Sequence, residues 1–268
     1  MRYAIDIAPL GDLADPAAIV RLAVAAERAG WDGFSTWDSL GVSMGTEAAD
    51  PFVTLAAVAS ATERLHLIAS VVVLPRRRPQ LVAQAAATLD RWSAGRLVLG
   101  IGAGGDPGDF TSFGEPFEAP ERMARFDQAA VLVDEYLRRA GGTSVGPQPV
   151  QQPRPPIWLG GMRPGALRRA ARWDGWIAIA ATDDGSAMNL SPAAFRAMVV
   201  RLEGERTTAG RADTSFDIAV FGLSEPSGAD EVAAFGAAGA TWWLESLSPL
   251  RGSFDALLAR IEAGPPAA

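Results

Sequence analysis

The chain has no cysteine, no lysine and a single histidine, His66. Without thiols there is no cysteine nucleophile, thiolate metal site or disulfide. Without lysine there is no Schiff-base aldolase and no P-loop lysine, and all 24 basic side chains are arginine. One imidazole is too few for a zinc hydrolase of the His-rich barrel type, and a Ser-His-Asp triad would have to be built around it. His66 stands at the start of the apolar run Leu65 to Leu74, the amino end of a strand. In a barrel that end lies away from the face where active sites form, so a packing or solvent-edge role is expected.

Basic charge and long apolar runs are also scarce. A net charge of −7 and a pI near 4.9 oppose attraction to nucleic acid or to an anionic membrane, and neither is expected as a partner. No uninterrupted apolar run reaches ~18 residues. The first twenty residues lack a basic stretch, an apolar stretch and a small-residue cleavage site in that order. A soluble, cytoplasmic protein is the expectation.

What is present is a chain of 268 residues, 49% hydrophobic with mean hydropathy +0.11, which suits one α/β barrel domain spanning 1–268. Strands and helices alternate along it. A strand at Tyr3 to Ala8 precedes Asp15-Pro16, an N-cap followed by proline at the first helical position, and Gly30 closes that helix. Further units are strand Gly33 to Trp37 with a helix from Asp50-Pro51 to Thr62, and strand Leu65 to Val73 with a helix from Pro79 to Ala94. Strand Arg96 to Ile101 leads through a Gly/Asp loop to a helix at Pro120 to Arg139. After the irregular stretch Gly141 to Pro155 come strand Ile157 to Gly160, helix Pro164 to Trp173, strand Gly175 to Ala180 and a helix from Ser191-Pro192 to Gly210. Strand Ser215 to Gly222, a helix within Ala229 to Ala238, strand Ala240 to Glu245 and a last helix carrying Phe254, Leu257, Leu258 and Ile261 complete eight units. Eight βα units with several continuously apolar strands indicate a closed (β/α)8 TIM barrel.

Chemistry in such a barrel gathers just past the strand ends. The residues there are Asp38, the segment Ser70 to Val73, the loop Gly102-Ala103-Gly104-Gly105, the segment Gly160 to Arg163, and Glu245. Glycines at these points allow backbone to approach a flat or phosphorylated ligand, and amides opening the helix near Pro164 point toward an anion. Ordinary βα turns carry the same glycines. No metal ligand set is evident.

Three segments carry a family resemblance. QAAATLDRWSAGRLVLGIGAGG from Gln84 to Gly105, PRPPIWLGG from Pro153 to Gly161 and ALRRAARWDGW from Ala166 to Trp176 resemble luciferase-like, flavin-dependent oxidoreductases, in family order. FGEPFE at Phe113 to Glu118 and GATWWLE at Gly239 to Glu245 add to them. The resemblance implies FMN as ligand, or the deazaflavin coenzyme F-420 as the alternative, with a small organic substrate undergoing oxygenation or hydride transfer. It implies a non-proline cis peptide at Ser70-Val71, supporting the ring, and contacts from Gly102, Ala103, Gly104, Gly160, Gly161 and Met162. Asp38 matches an acidic residue that lies beside the ring in deazaflavin relatives and is followed there by a catalytic histidine; here the resemblance implies that Asp38 positions the cofactor or relays a proton instead. The histidine that follows it there is Ser39 here. Ala103 stands where the luciferase has a phosphate-binding arginine, which leaves Arg163 as the expected phosphate partner. Relatives commonly pair through the second and third helices, and Ala56, Ala57 and Ala59 offer a small face for a homodimer. Two other readings are a glycoside hydrolase barrel using Asp38 and Glu245 as its carboxylate pair, and a flavin-binding protein without turnover.

Overall fold

In a computed structural model that describes residues 1–139, 142, 144–179, 189–225 and 227–266, eight parallel strands hydrogen-bond in sequence order and close on themselves. They are β1 (Arg2–Ile7), β2 (Gly33–Thr36), β3 (His66–Val73), β4 (Leu97–Gly102), β5 (Ile157–Gly160), β6 (Gly175–Ala178), β7 (Asp217–Gly222) and β8 (Trp242–Leu247). The seam is well made: β1 and β8 pair from Arg2 opposite Trp242 to Ile7 opposite Leu247. That pairing carries β8 two residues past the expected Glu245, because closing the barrel requires a partner for the end of β1. Ala180, expected at the end of the sixth strand, lies outside the described residues.

The helices are α1 (Pro16–Arg28), α2 (Pro51–Ala61), α3 (Pro79–Trp92), α4 (Gly108–Thr111), α5 (Ala119–Arg138), α6 (Pro164–Ala170), α7 (Pro192–Thr208), α8 (Ala229–Ala237) and α9 (Phe254–Glu262). Proline begins α1, α2, α3, α6 and α7, where its missing N–H costs no intrahelical bond. The expected caps form: Asp15 accepts from Ala17 N (2.9 Å), Asp50 from Phe52 N (2.9 Å) and Ser191 from Ala194 N (3.2 Å). The short α4, inside the expected Gly/Asp loop, escaped the sequence pattern because four residues are too few to show a period.

Alternation along the strands sorts the core into two shells. Ile5, Ile7, Phe34, Leu67, Ala69, Leu99, Leu159 and Trp243 join the cluster between strands and helices. Ala4, Ile68, Val98, Trp158, Ile177, Ala219, Phe221, Trp242 and Leu244 form a separate cluster that fills the barrel. At the amino pole Trp158 and Trp242 meet edge to face at 5.6 Å, and His66 packs edge-on against Trp242 at 5.4 Å. Burial, with the charge of Arg2 second, lowers the His66 pKa. The sole histidine therefore belongs to the floor of the barrel, at the pole away from the strand ends where chemistry gathers.

Candidate active site

The same alternation brings Asp6 of β1, Ser35 of β2 and Ser70 of β3 to face inward above the apolar layer. Asp6 and Ser35 are register partners, fully buried, and Ser70 is nearly so. Ser35 Oγ donates to Asp6 Oδ1 at 2.7 Å and Ser70 Oγ to the same oxygen at 3.0 Å. The two hydroxyls also hydrogen-bond each other. Trp37 Nε1, half-buried just past β2, donates to Asp6 Oδ2 at 2.6 Å. Burial pushes the Asp6 carboxyl up to about 6. Sequence reading passed over Asp6 because it stands inside the expected strand Tyr3 to Ala8. A signal existed: a carboxylate inside a strand covered by helices and closed into a barrel must have a built environment.

Above this layer the chain turns at a cis Ser70-Val71 peptide, the bond the family resemblance implies. β3 slips register against β4 between Ala69 and Val72. Val71, half-buried, extends to the ends of β4 and β5. A Cβ on Gly102 would lie 2.4 Å from Val71 Cγ2, and one on Gly160 would lie 2.8 Å from Val71 Cγ1. The space at both glycines is thus taken by Val71, which corrects the expectation that they leave room for a ligand directly. Gly104 adopts φ 78°, and a Cβ there would lie 2.7 Å from Val73 Cγ1. The Gly161 N–H is spent on Ile177 O (3.2 Å), its carbonyl accepts from Trp176 Nε1 (2.7 Å), and Pro164 has no N–H. An anion at this turn therefore depends on the Arg163 guanidinium more than on the amides around it. Ala103 and Met162 are partly buried and pack on the outer core.

Asp38, nearly buried, is held from several sides. Val73 N donates to Oδ2 at 2.8 Å, and Arg77 binds both carboxylate oxygens at 2.8 Å through Nε and Nη2. Arg76 donates to the Asp38 carbonyl at 2.8 Å and comes within 3.1 Å of Oδ1. The charges continue outward to Asp50 through Arg77 (2.9 Å) and across to Asp109 through Arg76 (2.8 Å). Five alternating charges thus tie the loop after β2, the turn after β3 and α4 together. Nothing in the sequence pattern marked Arg76 and Arg77, since consecutive arginines resemble a solvated surface run.

On the rim, Arg163 is exposed and has no side-chain hydrogen bond among the described residues. Arg122, in the first turn of α5, stacks 3.8 Å from the centroid of Phe117, and its buried Nε has no partner among the described residues. Burial and then the charge of Arg163 depress the Arg122 pKa, so the two guanidiniums feel one another. Two neighbouring guanidiniums, one of them exposed, fit a phosphate.

Glu245 is not part of this site. It faces the helices, where it accepts from Ser224 N (2.9 Å), Ser224 Oγ (2.5 Å) and Trp243 Nε1 (2.9 Å) and pairs with Arg251 (2.5 Å) and Arg260 (3.3 Å). The glycosidase reading fails on this point: Glu245 is out of phase with the inward-facing Trp242 and Leu244, and its carboxylate is taken up by Ser224, Arg251 and Arg260. Among the described residues no group of histidine and acidic side chains is arranged to hold a metal ion.

Comparison with known proteins agrees with this architecture. The family model for luciferase-like monooxygenases matches residues 4–243. Uncharacterized proteins of Mycobacterium bovis and Mycobacterium tuberculosis are 32% identical over 185 residues, covering 59% of this chain and 64% of their own length. The coenzyme F-420-dependent tetrahydromethanopterin reductase of Methanopyrus kandleri superimposes with a TM-score of 0.76 at 17% identity, covering 98% of each chain. The monooxygenase RslO1 of Streptomyces bottropensis gives 0.77 at 20% identity over 98% of this chain and 97% of that one. The oxygenating component of a Pseudomonas putida 3,6-diketocamphane monooxygenase, solved with FMN, gives 0.63 at 16% identity over 78% and 61%. With the family model spanning nearly the whole barrel, this chain belongs to the luciferase-like monooxygenase family.

Proposed function

We propose that the chain is a flavin-dependent oxidoreductase that seats FMN, or the deazaflavin coenzyme F-420, in the carboxyl-end mouth of its barrel. The carrying observation is the change of chemistry along the barrel axis. The apolar filling gives way to the hydroxyl and carboxyl layer of Ser35, Ser70 and Asp6, bordered by half-buried Trp37 and Val71. A flat ring system with polar edges needs such a platform. Around it, the connections after β2, β4, β6 and β8 expose Leu40, Val42, Met44, Phe113, Ile179 and Leu250, an apolar rim suited to a small organic substrate.

Val71 supports the ring, Ser70 meets its polar edge, and Arg163 with Arg122 binds the phosphate. Asp38 positions the mouth: its carboxylate is committed to Arg77 and the Val73 amide, so it fixes the bulge in place more than it moves protons. When bound, the cofactor supplies hydride chemistry or, as reduced FMN, reaction with oxygen. Absorbance titration of the purified protein with FMN, reduced FMN and coenzyme F-420 tests the reading. Saturable binding of one of them is expected. Failure of all three overturns it, and binding without oxygen uptake or redox turnover indicates the non-catalytic carrier instead.

The chain also pairs with itself, in this reading, through α2 and α3. A groove of about 930 Å³ between these helices is lined by Phe52, Val53, Ala56, Ala57, Leu81 and Trp92. Val53, Leu81 and Trp92 are 65%, 53% and 67% exposed, a contiguous apolar surface unusual for a free helix pair. Ala59, expected on the same face, is buried and packs in the outer core.

A further inference from the structure

The hydrogen atoms around Asp6 can be counted. Asp6 Oδ1, Ser35 Oγ and Ser70 Oγ form a triangle in which each oxygen is in hydrogen-bond contact with the other two. Three such contacts need three hydrogens. The two serines supply only two. A hydrogen on Asp6 Oδ2, the oxygen that accepts the Trp37 indole N–H, would lie outside the triangle. If the carboxyl is ionised, the two hydroxyl hydrogens serve two of the three contacts and the third pair of oxygens meets with lone pairs alone. If Oδ1 carries a proton, hydrogens can run round the triangle and every contact is satisfied.

We propose that Asp6 is a neutral, proton-bearing acid on the acid side of neutrality, and that it is a positioning residue acting through Ser70 on the ring seated in the mouth. The second half rests on the flavin reading above; the first does not. No charge faces Asp6 to oppose this. Its partners on β2 and β3 are the neutral Ser35, Trp37 and Ser70, and on β8 the residue in register is Ser246. The nearby Glu245 points outward to Arg251 and Arg260, and Asp38 is engaged by Arg76 and Arg77. Inward-facing neighbours below are apolar. Burial favours the uncharged form, in agreement with a carboxyl raised to about 6.

Function follows from the two states of the triangle. The neutral acid leaves the floor of the mouth uncharged and its hydroxyls ordered. Loss of the proton places a negative charge beneath the ring and leaves one of the triangle's three contacts without a hydrogen. A flavin gains negative charge on reduction, so a neutral floor favours the reduced cofactor and an ionised floor opposes it. By linkage, reduction of the cofactor must in turn tighten the proton on Asp6.

Infrared difference spectroscopy of the ligand-free protein is the first arm of the test. The carbonyl stretch of a buried carboxylic acid should be present at about pH 5, vanish by about pH 8, and be missing from Asp6→Asn throughout. Ser70→Ala and Ser35→Ala decide whether the triangle is responsible. If the hydroxyls merely solvated a carboxylate, removing one would raise the titration midpoint. In the triangle, removal abolishes the contact that only the acid can satisfy, so the midpoint should fall by about one pH unit in each variant. A rise, an unmoved midpoint, or no acid band at the lower pH overturns the proton assignment. The second arm repeats the measurement with FMN bound in its oxidised and reduced forms, and with coenzyme F-420 if FMN does not bind. Reduction should carry the acid band to higher pH. An identical titration in both redox forms overturns the positioning role, whereas failure of both cofactors to bind removes the flavin reading and leaves the first arm to stand or fall alone.

Discussion

Single side chains divide into those that hold the barrel together and those that remain available for a ligand. Arg163, exposed on the rim, is proposed to be in the second group, with a contribution confined to the phosphate. A charge-assisted hydrogen bond is worth ~1.5 to 3 kcal/mol, so Arg163→Ala should weaken FMN by roughly 10- to 150-fold. Riboflavin, which lacks the phosphate, should be almost unaffected. Quenching of tryptophan fluorescence compares the two, and equal losses would show that Arg163 supports the ring pocket or the fold. Asp6 sets a different dependence. Its pKa is raised from 3.8 to about 6 in the folded chain, so the native state holds a proton that the unfolded state releases first. Stability from this group is complete below the unfolded value and is lost as pH rises through about 6, a change of about 3 kcal/mol. Denaturant midpoints of Asp6→Asn should accordingly fall less between acid and neutral pH than those of the parent. Asp6 was not legible in advance, since its neighbours Ile5 and Ile7 present an ordinary apolar strand and its meaning comes from serines 29 and 64 residues away. Glu245 was legible as a strand-end carboxylate, yet its face was misjudged; counting by twos from Trp242 would have turned it outward.

Among the elements, β3 determines the shape of the mouth. Its bulge sends Val71 over the ends of β4 and β5, and the glycines at 102 and 160 exist to receive it. Gly102→Ala should therefore displace Val71 and cost ~1 to 3 kcal/mol by overpacking. The loss of cofactor affinity should exceed what Gly105→Ala produces, because a Cβ at Gly105 meets nothing within 4 Å. Comparable affinities for the two variants would show that Val71 does not shape the pocket. The element order itself was readable, because prolines and caps that punctuate helices act locally: Asp15-Pro16, Asp50-Pro51 and Ser191-Pro192 open α1, α2 and α7. The ladder Asp50, Arg77, Asp38, Arg76, Asp109 was not readable. It joins three separate connections, and no local rule reports which arginines will meet which carboxylates once the barrel closes.

For the whole molecule, the apolar surface of α2 and α3 is the face proposed to receive a second copy of the chain. Light scattering at micromolar concentration should return a dimer mass, and Trp92→Glu, which puts a charge on the most exposed of these side chains, should shift it toward monomer without loss of fold. A monomeric parent would remove the pairing. The plug of Trp158, Trp242 and His66 has another consequence, for traffic of hydrogen isotopes. A barrel stoppered at one pole is a vessel with a single neck, and the indole hydrogen of Trp37 and the hydroxyls beside it can exchange with deuterium only through that neck. Any molecule lodged there is a cork. Exchange at Trp37, whose indole hydrogen points to Asp6, should slow in proportion to occupancy, while exchange at Trp92, bonded to Ser60 on the outer surface, keeps its rate. The interior thus reports whether the neck is filled, whichever molecule fills it.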